Sequence, residues 1–223
     1  MSDPRQERRR LLAQSSLYLV IDGLDGGEKL AQTVGQALAG GVGIVQLREK
    51  RRRGSFLLEA AKVVRDLCKQ AGALFILNDL PALAVAVGAD GVHLGQEDIA
   101  VPTARRLVGE DLLIGLSTHS PSQVEAAQGC GADYIGVGPV FPTPTKPGRP
   151  AVGVELVRFA AQRSTLPWFA IGGIDATNVG EVAAAGAKRV AVVRALANAA
   201  DPASAARQLL VGLGREVAVA GRS

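Results

Sequence analysis

The sequence predicts an α/β chain folded as a single (β/α)8 TIM barrel, with its active site at the C-terminal ends of the strands. Three observations carry that expectation. Eight short runs rich in β-formers alternate with Ala- and Leu-rich stretches of helical spacing. Gly or Gly-Ala closes several of those stretches (40–41, 72, 88–89, 131–132, 186–187), where a helix would end and turn into the next strand. Polar residues gather at the C-terminal ends of nearly all eight runs, whereas an open doubly wound sheet would concentrate them at one switch point. Neither a G-x-G-x-x-G after the first strand nor a Walker A sequence is present.

The 223 residues suffice for one domain, 1–223, with 1–15 as a flexible or helical extension. Aromatic residues make up only 4% while hydrophobic residues reach 48%, so the core must rest on Ala, Val, Leu and Ile. That composition suits parallel strands covered by helices. No apolar run approaches the roughly 18–20 residues that span a bilayer, and the polar segment 1–10 lacks a signal-peptide core. No membrane partner and a cytoplasmic location are the default expectation. Cys68 and Cys130 each sit in a stretch that reads as the later part of a helix, and buried free thiols are expected rather than a disulfide or zinc site. The net charge is +4, with arginine runs at 8–10 and 51–53. Without aromatic interleaving or a nucleic-acid motif they read as solvated arginines on a tail and a loop. The second run, beside a candidate site, would also draw in anionic substrates.

Taken in order, strand 17–22 (LYLVID) opens the barrel. Strand 43–49 (GIVQLRE) leads into Lys50, and alternation puts Gln46, Arg48 and Lys50 on one side. A helical stretch, 55–70, follows. Strand 74–79 ends in Asn78 and Asp79, and strand 91–95 is followed by Glu97 and Asp98. Carboxylates at neighbouring strand ends can share a hard cation, while Asp79 could equally cap a helix and Asp98 a turn. His93, inside the fourth run, reads as a packed, hydrogen-bonded residue. Strand 113–118 ends in Ser117 and Thr118, and His119 beyond them is placed either to move a proton or to orient a loop. Another helical stretch, 120–130, leads to strand 134–140. Its loop, 139–150, carries Thr143, Thr145 and Lys146 among prolines, a stiffened segment suited to an anionic ligand. Strand 167–173 ends in Gly172 and Gly173, and strand 189–195 carries Val193 and Arg194 near its end. The loops after strands seven and eight are the frequent phosphate site of this fold.

The segments QLREK, LND, HLGQED, GLSTH, FPTPTK and AIGGI, in this order between about residues 17 and 201, resemble the thiamin phosphate synthase family. The resemblance implies a transferase that joins a pyrimidine diphosphate to a thiazole phosphate and releases pyrophosphate, a partner set of small molecules without nucleic acid. It implies that Gln46, Arg48, Lys50, Asn78, Ser117 and Lys146 bind the pyrimidine diphosphate, with Glu49 in the same segment. Arg48, Lys50, Lys146 and Ser117 would be the catalytic set, and Asp79 and Asp98 would hold Mg2+. Thr143, Thr145, Gly173, Val193 and Arg194 would hold the thiazole phosphate. Many members carry serine where this chain has Arg194, which leaves that side chain's role open. Two rivals stay in view: a thiazole tautomerase-like isomerase with His119 as proton shuttle, and a silent phosphate-binding regulator. The sequence leaves a homo-oligomer open.

Overall fold

The computed structural model of the chain describes residues 3–23, 27–52, 54–143 and 150–216. Eight parallel strands close into a barrel in sequential order: β1 (Leu17–Ile21), β2 (Ile44–Leu47), β3 (Leu74–Asn78), β4 (Gly91–Leu94), β5 (Leu113–Thr118), β6 (Tyr134–Val137), β7 (Trp168–Ile171) and β8 (Val190–Val192). The seam closes where Leu17 pairs with Val190. Around it lie α2 (Gly27–Ala39), α3 (Ser55–Ala71), α4 (Pro81–Ala86), α5 (Val101–Val108), α6 (Pro121–Ala127), α7 (Gly153–Arg163), α8 (Val179–Ala184), the four-residue α9 (Arg194–Ala197) and α10 (Pro202–Gly212), with α1 (Pro4–Gln14) before the first strand. No described helix is long and apolar enough to cross a membrane.

Strand alternation sorts the core into two layers. Leu17, Leu19 and Ile21 of β1 pack outward with helix residues such as Leu30, Val34 and Leu209, all of them buried. Tyr18 and Val20 point inward to join Ile44, Ile76, Leu113, Tyr134 and Phe169. The aliphatic core expected from composition is the outer layer; both tyrosines of the chain lie in the inner one. Tyr18 meets Phe169 edge to face at 5.3 Å between ring centres, and Tyr134 meets the same ring at 5.9 Å. Such aromatic pairs add about 0.5–1.5 kcal/mol each beyond area burial.

The first arginine run is not a solvated tail. The 4–14 segment starts a helix because Pro4 fits the first turn and Asp3 caps it, accepting from the Arg5 amide at 3.0 Å. This helix closes the bottom of the barrel, inserting Leu12 among the inner-layer residues. Arg8 reaches Asp90 at 2.9 Å and Arg9 reaches Asp133 at 2.9 Å. Each of those carboxylates also accepts a strand amide, from Phe75 and Ile114 respectively, both at 2.9 Å. Arg105 completes the cluster, 2.6 Å from Asp133. Only Arg10 of the run keeps to the helix surface, paired with Glu7.

Cys68 is a buried free thiol within α3, whereas Cys130 is part-buried beyond the end of α6, its thiol donating to the Ala127 carbonyl at 3.2 Å. The helix expected over 120–130 therefore stops three residues short, and a turn replaces its last part. Every strand but β5 is likewise shorter than its β-rich run, and Arg48, Asp79, Asp98, Gly173 and Arg194 lie beyond the strand ends.

Candidate active site

The mouth of the barrel opens into a cavity of about 300 Å3 lined from nearly every strand end. Gln46 comes from β2, with 3% of its surface exposed, and Arg48 follows just beyond, its amide still bonded to the Ile21 carbonyl at 2.8 Å. Asn78, Ser117, Thr143, Gly173, Val193 and Arg194 line the same space. Eight of the residues expected from the sequence thus share one cavity. Arg194 is not a strand residue but the first residue of α9, exposed and facing both this cavity and a neighbouring one of about 470 Å3. Lys50 and Glu49 border that second space with Arg48. Thr145 and Lys146 lie outside the described residues.

Glu49 spends its carboxylate on the loop. Its side chain is fully buried and accepts from the amides of Arg51 (2.7 Å), Arg52 (3.1 Å) and Gly23 (3.2 Å). Burial alone would raise its carboxyl, but these amides and the Arg52 guanidinium hold it below the usual range. This shapes the turn that carries Arg48 and Lys50. Of the second arginine run, Arg51 pairs with Asp22 at 3.2 Å and Arg52 lies 3.8 Å over the Phe56 ring; position 53 is outside the described residues.

The acidic pair expected from the sequence comes together at the rim. Asp79 sits in the left-handed region, at φ 63°, and receives the Lys50 ammonium at 2.5 Å. Burial pushes its carboxyl up, and Asp98 beside it pushes the same way against the pull of Lys50. Asp98 folds back to accept the Gly95 amide at 2.7 Å. Two neighbouring carboxylates are a donor type that a hard cation accepts, one or two carboxylates completed by other oxygens.

Below the rim runs a chain of hydrogen bonds that sequence reading did not find. Gln46 Nε2 donates to Tyr18 Oη at 2.7 Å, and Tyr18 Oη lies 3.0 Å from Tyr134 Oη. Tyr134 Oη is 3.2 Å from His93 Nδ1, and His93 Nε2 is 3.0 Å from Ser117 Oγ. His93 is hydrogen-bonded as expected, yet it also lines the cavity. Burial pushes both phenols well up, so they keep their hydrogens. The signal available in the sequence was the placement of both tyrosines at inward positions of their strands. Asp175, also unforeseen, faces the cavity; its carboxyl is held below the usual range by the Thr177 hydroxyl first, with help from Arg194.

The loop after β6 is held against β7. Amides of Val140 and Phe141 donate to the carbonyls of Ile171 and Gly172, both at 2.9 Å. This close approach needs glycine at the end of β7. Gly172 and Gly173 have φ of 106° and 66°, and a Cβ on Gly173 would fall 2.7 Å from Phe141 Cβ. His119 Nδ1 donates to the Gly138 carbonyl, and its amide donates to Gln123 at 2.7 Å, so the imidazole orients the start of this loop.

The family model described as thiamine monophosphate synthase matches residues 17–196. A thiamine-phosphate synthase of Nostoc punctiforme is 50% identical over 94% of this chain and 59% of its own. One from Mycobacterium sp. (strain KMS) is 48% identical over 94% of this chain and 97% of its own. The chain thus spans about three fifths of the length of the Nostoc and Synechocystis relatives and nearly all of the Mycobacterium one. Among solved structures, a thiamine phosphate pyrophosphorylase from Pyrococcus furiosus superposes with a TM-score of 0.81 at 34% identity, covering 92% of this chain and 97% of that one. A 3-hexulose-6-phosphate synthase, at 18% identity and a TM-score of 0.64, shares the barrel fold.

Proposed function

The chain belongs to the thiamine monophosphate synthase family, and from that premise we propose that it condenses 4-amino-5-hydroxymethyl-2-methylpyrimidine diphosphate with 4-methyl-5-(2-phosphoethyl)thiazole. The products are thiamin phosphate and pyrophosphate. One observation carries the reading. Arg48 and Arg194 both face the mouth cavities, and among the described residues neither has a carboxylate within salt-bridge distance. Two guanidiniums outside any ion pair, beside an acidic pair, are suited to two separate phosphate groups.

The pyrimidine would lie over Gln46, Asn78 and Ser117, with its diphosphate toward Arg48, Lys50 and Lys146. The thiazole phosphate would lie toward Thr143, Thr145, Gly173, Val193 and Arg194. Pyrophosphate leaves the methylene carbon, the positive charge spreads over the aminopyrimidine, and the thiazole nitrogen closes on that carbon. No protein nucleophile is required. The residues act by aligning the rings and by meeting the negative charge that grows on the leaving group. Asp79 and Asp98 would hold Mg2+, whose chemistry is to neutralise diphosphate oxygens. Lys50, which is 2.5 Å from Asp79, would supply a further positive charge beside the diphosphate.

The test is product analysis on the purified chain. Mass spectrometry should show thiamin phosphate and pyrophosphate in equal amounts, only with both substrates present, and a metal chelator should stop both. Isomerised thiazole without pyrimidine consumption would install the isomerase reading instead, and pyrophosphate release without the thiazole would contradict the condensation.

A further inference from the structure

The chain of hydrogen bonds beneath the cavity has a direction, and that direction dictates what its two ends offer a ligand. Each phenol carries one hydrogen. Tyr18, accepting from Gln46 Nε2, gives its own to Tyr134, and Tyr134 gives its own to His93 Nδ1. His93 then bears its hydrogen on Nε2 and donates it to Ser117 Oγ. The Ser117 hydroxyl hydrogen is left to point elsewhere, and Gln46 Oε1 is left as an acceptor; both residues line the cavity. Reversing one link alone would strand a hydrogen on a phenol that is 1–2% exposed, so the links turn together or not at all.

A glycine makes room for this. A Cβ on Gly115 of β5 would sit 2.4 Å from His93 Nδ1 and 2.5 Å from Tyr134 Oη, on the very bond that joins the two halves. The φ of Gly115 is not in the left-handed region, so space, not backbone freedom, is what the glycine supplies.

We propose that Tyr18, Tyr134 and His93 form a polarity relay that holds Gln46 as acceptor and Ser117 as donor, and thereby selects a ring bearing an amino group over the same ring bearing a carbonyl. The proposal rests on the reading that a pyrimidine diphosphate binds here. An amino group donates to Gln46 Oε1; a carbonyl in its place meets that oxygen lone pair to lone pair and binds only if the whole relay reverses. Tyr18, Tyr134 and His93 are positioning residues in this account, acting through the two ends.

The relay can be read without turnover. The chain has two histidines, so nitrogen-15 spectra assigned with a His119→Ala variant report the His93 tautomer directly. Wild type should carry the hydrogen on Nε2. Gln46→Glu, which can only accept, should reverse the relay and move the hydrogen to Nδ1, and adding Tyr134→Phe should abolish that response. An unchanged tautomer in Gln46→Glu would overturn the relay. Selectivity is the second readout. In wild type, kcat/KM for the amino substrate should exceed that for the 4-oxo analogue by about a hundredfold or more. Tyr134→Phe should narrow that ratio at least tenfold while KM for the thiazole phosphate stays unchanged, with circular dichroism confirming the fold. Gly115→Ala is the second variant and should narrow it likewise; an undiminished ratio in a folded variant would contradict the selectivity role. Absence of turnover with either pyrimidine would instead overturn the functional reading, and the tautomer shift would still decide the relay.

Discussion

At the bottom of the barrel Arg8, Arg9 and Arg105 each meet a carboxylate that also accepts a strand amide, whereas at the mouth Arg48 and Arg194 face open cavities with no such partner among the described residues. Both ends concentrate arginine, and the difference lies in what neutralises it. Asp133 shows how the bottom works: its side chain is 7% exposed and satisfied by Arg9, Arg105 and the Ile114 amide at once. Charges saturated by the protein itself hold the fold together. Charges left unsaturated are available to a ligand.

Four substitutions sharpen that comparison. The largest expected effect is at the rim: Asp98→Asn should lower kcat/KM by about 10²–10³, the range for losing one group that meets transition-state charge. Asparagine can still accept the Gly95 amide, so the circular dichroism spectrum and Tm should hold, and a Mg2+ titration should show weaker metal dependence. At the bottom, Asp133→Ala strands Arg105 and the Ile114 amide and should cost about 3–5 kcal/mol of stability. For a domain of this size that is roughly 6–20 °C in Tm. Steady-state kinetics well below Tm should stay near wild type; a matching loss of turnover would erase the distinction between the ends. Arg194→Ser should raise KM for the thiazole phosphate about tenfold, or roughly 1.4 kcal/mol, with kcat unaltered. That phosphate keeps its charge throughout the reaction, so its binding is equal in ground and transition states. The smallest effect belongs to His119→Ala, where losing a loop-orienting hydrogen bond should cost no more than about 1.5 kcal/mol in kcat/KM. A loss of several hundredfold would mean that the imidazole moves a proton.

Much of the mouth was legible in the sequence because alternation and barrel geometry act locally. Once β2 was placed, Gln46 and Arg48 had to face inward, and Gly172 with Gly173 marked the turn after β7. Strand ends were less legible: Arg48 and Glu49 continue a β-rich run in composition, yet the ladder stops at Leu47 and Glu49 is consumed by the loop's own amides. The bottom was not legible at all. The partners of Arg8 and Arg9 lie 82 and 124 positions away, and an arginine run in isolation looks like a solvated tail. The same holds for Tyr18, His93 and Tyr134, which come from three different strands and read singly as packed residues.

The central claim, that the mouth keeps Arg48 and Arg194 for the ligand and not for the fold, is tested most directly by Arg48→Ala with Tm and kcat/KM measured on the same preparation. kcat/KM should fall by about a hundredfold or more while Tm stays the same or rises, because the substitution removes no ion pair. A Tm that falls by several degrees together with preserved kcat/KM would show that Arg48 serves the fold, and would contradict the account.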